Sequence, residues 1–271
     1  MQVKAWIAGL AQALAPWSSE AEREARLFAA HWLGLPLRCL NLHLTDPCPD
    51  GGEQRLAAIV ARRRQGEPLQ YIIGSEEFMS LPFVVTPAVL IPRADTEAVV
   101  ERALVLLRQQ ESPLAADIGT GSGAIAVSMA YYCPQARIQA VDCSAAALEI
   151  AQKNALCNQT AARILFLQGD LCSPLQGAFD LIVANPPYVT AQEMRELAAE
   201  VRREPVTALY GGIDGLDLYR RLIPQAYEKL APGGRLLLEI GAGQRLSLIH
   251  ICHNTALYQR RVRIQGFPCR R

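Results

Sequence analysis

The sequence predicts an α/β fold: a mostly parallel sheet with helices on both faces, preceded by a small N-terminal helical domain. Three observations carry this. From residue 114 to residue 240, short apolar runs alternate with helix-period segments, the pattern of strand–helix–strand units. Two of those runs end in unusual loops, Asp117-Ile118-Gly119-Thr120-Gly121-Ser122-Gly123 and Asn185-Pro186-Pro187-Tyr188. The first 73 residues contain helical patterns alone.

In order along the chain, helices are expected over 2–15, 19–33 and 52–65, with a short turn around 37–42. Ser18 or Ser19 is placed to cap the second helix, and Glu22 lies in its first turn. Pro47, Pro49, Asp50, Gly51 and Gly52 mark a loop. The stretch GEPLQYIIGSEEFMSLPFVVTPAVLIPR has prolines at 68, 82, 87 and 92 around two β-rich runs, 83–85 and 89–91, and predicts a hairpin linking two domains. Asp95 or Thr96 is expected to cap a helix over 97–110. Strands are then expected over 114–118, 137–141, 163–167, 179–184 and 235–240. Helices are expected over 123–132, 144–157, capped by Ser144, and 218–230. The expected boundaries are 1–73 for the helical domain, 74–94 for the linker, 95–244 for the sheet domain and 245–271 for an atypical basic tail.

The 271 residues are 51% hydrophobic, enough for a large core. With 27 basic and 26 acidic residues the formal charge is +1, so no global field favours nucleic acid or an anionic membrane. Eight cysteines without CxxC or metal-ligand spacing predict reduced, mostly buried thiols in a cytoplasmic protein, and no metal site. The apolar start is interrupted by Gln12, unlike a secretory signal, and no apolar run reaches membrane-spanning length.

The glycine-rich loop lies between a strand and a helix, where absent side chains let a ligand approach the backbone. With Ala124 it also satisfies the permissive dinucleotide pattern G-x-G-x-x-A, so a NAD or FAD site stays open. Asp142, ending the next strand, suits a carboxylate accepting from both ribose hydroxyls. Asp117 would repel a pyrophosphate but could orient a cationic amino-acid moiety. Asp170 could accept from an exocyclic adenine amine while Leu171 covers the ring. In the second loop two prolines stiffen the chain at a strand end, presenting the amide of Asn185, the carbonyl of Pro186 and the ring of Tyr188.

DIGTGSG, the acid of VDCS, GDL and NPPY, in this order, resemble the motifs of class I S-adenosylmethionine-dependent methyltransferases, whose sheet is Rossmann-like. NPPY narrows the resemblance to enzymes that methylate a planar, conjugated nitrogen. The wider blocks GEPLQYIIGSEEFMSLPFVVTPAVLIPRADTE, EPVTALYGGIDGLDLYRRLI and LAPGGRLLLEIG resemble the bacterial release factor glutamine N5-methyltransferase family, PrmC or HemK, over residues 1–244. The resemblance implies S-adenosylmethionine as methyl donor and the glutamine of the Gly-Gly-Gln tripeptide of class 1 peptide-chain release factors as acceptor. It further implies cofactor binding by Asp117, Gly119, Thr120, Gly121, Ser122, Gly123, Asp142, Asp170, Leu171 and Asn185. Substrate contacts are implied for Asn185, Pro186, Pro187 and Tyr188, and catalytic roles for Asn185, Pro186 and Tyr188. The oxygen of Asn185 and the carbonyl of Pro186 would accept the two amide hydrogens, and Tyr188 would pack on the amide plane. Glu204-Pro205 and the GGIDG segment read as a loop closing over the substrate.

The alternatives are an adenine N6-methyltransferase of DNA or RNA, a ribosomal-protein glutamine methyltransferase, and a noncatalytic cofactor-sensing module. Past Gln244 the resemblance stops. The tail has six arginines and no acid and reads as out of frame, with a short basic arm for RNA or a solvated tail without function as alternatives; if the usual last strands are absent, strand 235–240 becomes an exposed edge. His250, Cys252 and His253 in it lack good metal spacing.

Overall fold

The computed structural model describes residues 1–244, 246–248, 251 and 264–268. The chain divides into two compact units, Met1–Gly74 with Ala199–Arg203, and Ser75–Ala198 with Glu204–Arg271.

The first unit holds α1 (Val3–Leu14), α2 (Ala21–Trp32), a 3-10 turn (Leu37–His43), α3 (Gly52–Arg64) and α4 (Leu69–Ile73). Val3, Trp6, Ile7, Leu10 and Leu14 recur at helical spacing and pack on Phe28 and Ala25. Trp6 Nε1 donates to the Gly52 carbonyl at 2.8 Å. The expected serine cap of α2 is absent: Glu20 occupies the cap position, and the Ser18 hydroxyl donates to Glu24 at 2.7 Å. Glu24 is committed elsewhere, to the buried Arg63, which donates to both its carboxylate oxygens at 2.9 and 2.8 Å and also to Glu200 at 2.7 Å. A buried guanidinium is stable only with its donors matched in this way. α4 falls where the proline-rich pattern gave no helix.

The second unit opens with an antiparallel hairpin, β1 (Ser75–Phe78) and β2 (Leu81–Val84). This corrects the expected pairing of 83–85 with 89–91. Met79 and Ser80 turn with φ 51° and 57°, both left-handed, so the tight turn lies before Leu81. Residues 89–91 form no strand, although Val89 and Ile91 are buried. Asn154 fastens the hairpin, accepting from Val84 N at 2.7 Å and donating to the Val84 and Ser122 carbonyls at 3.0 and 2.8 Å.

There follow α5 (Ala94–Leu107), β3 (Leu114–Ile118), α6 (Ala124–Tyr132), β4 (Arg137–Asp142), α7 (Ala145–Cys157), β5 (Ile164–Gln168) and β6 (Phe179–Ala184). α8 (Glu193–Glu196) and α9 (Val206–Leu209) are single turns, then come α10 (Asp217–Lys229), β7 (Leu230–Ile240) and β8 (Ile264–Pro268). Asp95 and Thr96 lie inside the first turn of α5, which has no side-chain cap. Ser144 does cap α7, accepting from Ala147 N.

The six-stranded sheet is parallel, in the order β5-β4-β3-β6-β7-β8. Both faces are covered, which explains the nearly continuous apolar strands. On β6, Leu181 and Val183 enter one core cluster while Ile182 and Ala184 enter the other, and on β7 Leu237 separates from Leu236 and Leu238 in the same way. This is a Rossmann-like sheet. Successive connections diverge at β3 and β6, the switch point where open α/β sheets bind ligands.

The expected bare edge at 235–240 is overturned, because β8 pairs with β7 along Leu236–Ile240. Elsewhere in the tail 246–248 and 251 are described, while His250, Cys252 and His253 lie outside the described residues. Of the six described cysteines all are free, but only Cys133 and Cys172 are buried, fewer than expected. Among the described residues there is no metal-binding cluster and no helix long and apolar enough to cross a membrane.

Candidate functional site

β3 delivers Asp117 to the base of the glycine loop, fully buried. Its Oδ2 accepts from the Thr120 hydroxyl at 2.6 Å and from Ala126 N at 3.1 Å, while Oδ1 has no partner. Burial lifts its carboxyl to about 7, against the pull of those two hydrogen bonds and with a smaller push from Asp142. Above it the backbone passes through Gly119 and Gly121, at φ 73° and 55°, which only glycine adopts without strain. A Cβ on Gly119 would stand in open space on the cleft wall.

Asp142 ends β4 and braces the same loop. Its Oδ2 accepts from Gly121 N and its Oδ1 from Ser144 N, both at 2.9 Å, which leaves each oxygen a further lone pair for a ligand hydroxyl. After β5, Asp170 is exposed and ion-paired with Arg221. Leu171 follows in left-handed conformation, φ 51°, with its side chain on the cleft wall.

β6 runs into Asn185-Pro186-Pro187-Tyr188. The Asn185 amide nitrogen donates to the Thr96 hydroxyl at 3.3 Å, and that hydroxyl donates to Glu239 Oε2 at 2.6 Å. Glu239, on β7, is 1% exposed, and its Oε1 is unpartnered. Burial pushes its carboxyl up, opposed by the Thr96 hydroxyl and the neighbouring Asn185 amide. Farther along, Val189 N donates to Leu209 O and Gly211 N to Val189 O, each at 2.9 Å. Gln244 accepts from Gly241 N at 3.0 Å and donates to the carbonyls of Tyr188 and Gly215 at 3.1 and 3.2 Å. These chains approach so closely that a Cβ on Gly215 would lie 2.3 Å from the Tyr188 oxygen.

One cleft collects the pieces, with about 850 Å³ of empty space counting its open side. Gly119, Gly121, Asp142, Asp170, Leu171, Asn185, Pro186 and Pro187 are all on its wall. Asp117, Thr120, Ser122 and Gly123 are not: Asp117, Thr120 and Ser122 are buried, and Gly123 stands at the start of α6, where a Cβ would be 3.1 Å from that of Ala151. Tyr188 is also off the wall, half-buried against the core cluster that contains Tyr219. Its ring packs against that cluster and comes within 3.1 Å of where a Cβ on Gly241 would stand.

The cradle fits S-adenosylmethionine. The open space at Gly119 admits a ligand against the main chain, Asp142 has lone pairs left for a ribose, and Leu171 offers an apolar face. Glu204, buried, accepts from Ile91 N at 3.0 Å and pairs with Arg93, which sets Pro205, Thr207 and Ala208 along the opposite wall. Sequence reasoning missed Thr96, Glu239 and Gln244. A signal existed for Glu239, since an acid within the apolar run LLLEI must find a partner or carry a role.

Residues 5–74 match the PrmC N-terminal domain and residues 101–210 the methyltransferase small domain. The release factor glutamine methyltransferase of Moorella thermoacetica is 53% identical over 201 residues, covering 74% of this chain and 71% of that protein. That of Geobacter sulfurreducens is 44% identical over 240 residues, covering 88% and 82%. Among solved structures, a methyltransferase from Pyrococcus furiosus aligns with TM-score 0.45 at 21% identity, covering 74% of this chain and 85% of that one.

Proposed function

The chain belongs to the release factor glutamine methyltransferase family, and from that premise we propose that Asn185 and Pro186 are the groups that hold the acceptor amide in its cleft. It is an S-adenosylmethionine-dependent protein-glutamine N-methyltransferase. It methylates the N5 side-chain amide nitrogen of the glutamine in the Gly-Gly-Gln motif of class 1 peptide-chain release factors.

An amide nitrogen is a poor nucleophile because its lone pair is delocalised into the carbonyl. When bound, S-adenosylmethionine supplies an electrophilic methyl group on a sulfonium sulfur. Gly119, Gly121, Asp142 and Leu171 hold its adenosine portion, with Thr120, Ser122 and Gly123 building the loop beneath and Asp117 bracing it. Asp170 contributes the oxygen that its ion pair with Arg221 leaves free. Asn185 Oδ1 and the Pro186 carbonyl accept the two hydrogens of the acceptor amide and fix its plane, leaving one face open to the cleft. Pro187 keeps that carbonyl rigid, and Tyr188 beside it packs on the amide plane. The nitrogen gives up one hydrogen as a proton; Asn185 accepts hydrogen bonds but is no base, so the proton leaves to solvent. Catalysis is then mainly positioning and exclusion of water, for which aligned reactants can supply roughly 7–11 kcal/mol in the best intramolecular models.

The observation that carries this reading is that Asn185 and Pro186 share one cleft with Gly119, Gly121 and Asp142. In the same reading residues 1–73 dock the release factor away from its tip, 74–94 are the linker and 95–244 perform the transfer. The balanced charge offers no global field for nucleic acid or an anionic membrane, and the eight cysteines without CxxC or metal-ligand spacing favour a cytoplasmic protein. Transfer of radiolabelled methyl should be followed with release factor, free DNA and ribosomal protein in parallel. Label is expected on release factor at the Gly-Gly-Gln glutamine, and label on DNA alone would overturn the assignment.

A further inference from the structure

We propose that Thr96 and Glu239 are positioning residues that fix which end of the Asn185 side-chain amide faces the substrate. The inference rests on the reading of Asn185 as the acceptor of a substrate amide hydrogen. An asparagine has two nearly isosteric ends, an oxygen that accepts and a nitrogen that donates, and only the oxygen can receive that hydrogen. Turned by 180°, Asn185 would present a donor to a donor. The two prolines that follow it fix the backbone and leave the amide orientation unspecified.

The chain Asn185–Thr96–Glu239 supplies the missing specification. Thr96 Oγ1 donates to Glu239 Oε2 at 2.6 Å, and that contact consumes the single hydroxyl proton of Thr96. Toward Asn185, 3.3 Å away, Thr96 then presents only lone pairs. The group that meets it must be Nδ2, which leaves Oδ1 on the opposite side of the amide. A proton inventory therefore dictates the orientation, independently of how similar the two ends are in shape. Glu239 is 1% exposed and Thr96 5%, so no bulk water competes for these bonds. The burial of a carboxylate, costly in itself, is explained if its charge polarises this chain. Glu239 is absent from the cleft wall, so it acts through Thr96 and touches no substrate.

The test uses the full chain with two isosteric substitutions, Thr96→Val and Glu239→Gln, and the conservative Thr96→Ser. Glutamine at 239 can donate to Thr96 and so reverse the hydroxyl. Thr96→Val and Glu239→Gln are expected to lower kcat about 10- to 100-fold, with KM for release factor and Kd for S-adenosylmethionine within about twofold of wild type. Thr96→Ser is expected to keep kcat within about threefold. A wild-type kcat in Thr96→Val, or equal losses in Thr96→Val and Thr96→Ser, would overturn the proposal. If Thr96→Val does not fold, Glu239→Gln decides by the same readings. Hydrogen exchange of the Asn185 amide protons in 15N-labelled protein gives a readout separate from activity. Exchange is expected to be faster in Thr96→Val, and unchanged exchange would count against the proposal. Should wild type label no release factor while that exchange still accelerates, the substrate reading fails and the positioning chain stands.

Discussion

The two loops that meet in the cleft are built in opposite ways. The glycine loop after β3 gains its shape from missing side chains and is held locally: Asp117 binds Thr120 and Ala126, three and nine residues away, and Asp142 reaches Gly121 across 21. The NPPY loop after β6 gets its stiffness from two prolines and is held by distant residues. Asn185 reaches Thr96 across 89 residues, Thr96 reaches Glu239 across 143, and Gln244 reaches Tyr188 across 56. A loop that receives a cofactor can be specified by its own neighbourhood. A loop that must aim one oxygen at a protein substrate draws on the whole sheet.

Four substitutions sharpen or break this contrast. Asn185→Ala should have the largest effect, lowering kcat about 10²- to 10³-fold, the scale of losing one preorganised hydrogen-bonding group, while calorimetry finds S-adenosylmethionine affinity little changed. Unaltered turnover in the folded variant would remove Asn185 from its assigned role.

Asp117→Asn tests the local loop. The folded-state value of about 7 lies above the 3.8 of an ordinary aspartate, so between those limits the folded state binds more protons and loses stability as pH rises. The full cost is present above about 7, on the order of 4 kcal/mol. The neutral variant should therefore melt higher than wild type at pH 8 and close to it at pH 4. Parallel melting curves across that range would mean that the carboxyl is not strained by burial.

Gly215→Ala should cost about 2–3 kcal/mol, since φ is +75° and the new Cβ meets the Tyr188 oxygen at 2.3 Å. Because the displaced atom belongs to the NPPY loop, turnover should drop with little loss of cofactor affinity. A denaturant titration matching wild type would show that this close approach is not maintained in solution. Gln244→Ala removes the clasp on the same loop and should cost about 1–2 kcal/mol; a larger fall in kcat than in stability is expected, and an effect on neither would make the clasp dispensable.

Much of the sheet was legible in the sequence. The strands at 114–118 and 179–184 fall where the apolar runs place them, and Ser144 caps the helix it precedes, because alternation and capping are short-range signals. The hairpin was displaced because its turn uses Met79 and Ser80 in left-handed conformation rather than glycine or asparagine. Thr96 looked like a helix cap because a threonine before an apolar helical run ordinarily is one; its actual partner, Glu239, lies on a strand that the local pattern does not reveal.

By itself the sequence determined the parallel sheet, the glycine loop and the rigid NPPY turn, since these depend on periodicity, missing Cβ atoms and proline geometry that each residue carries with it, while the family was legible through the resemblance of whole motif blocks. Only the tertiary structure decided that Asp117 is buried under the loop rather than on the cleft wall, and that Glu239 sits two hydrogen bonds from Asn185. Those facts depend on which side chains meet across the sheet, and a contact spanning a hundred residues leaves no mark on the local pattern of either partner.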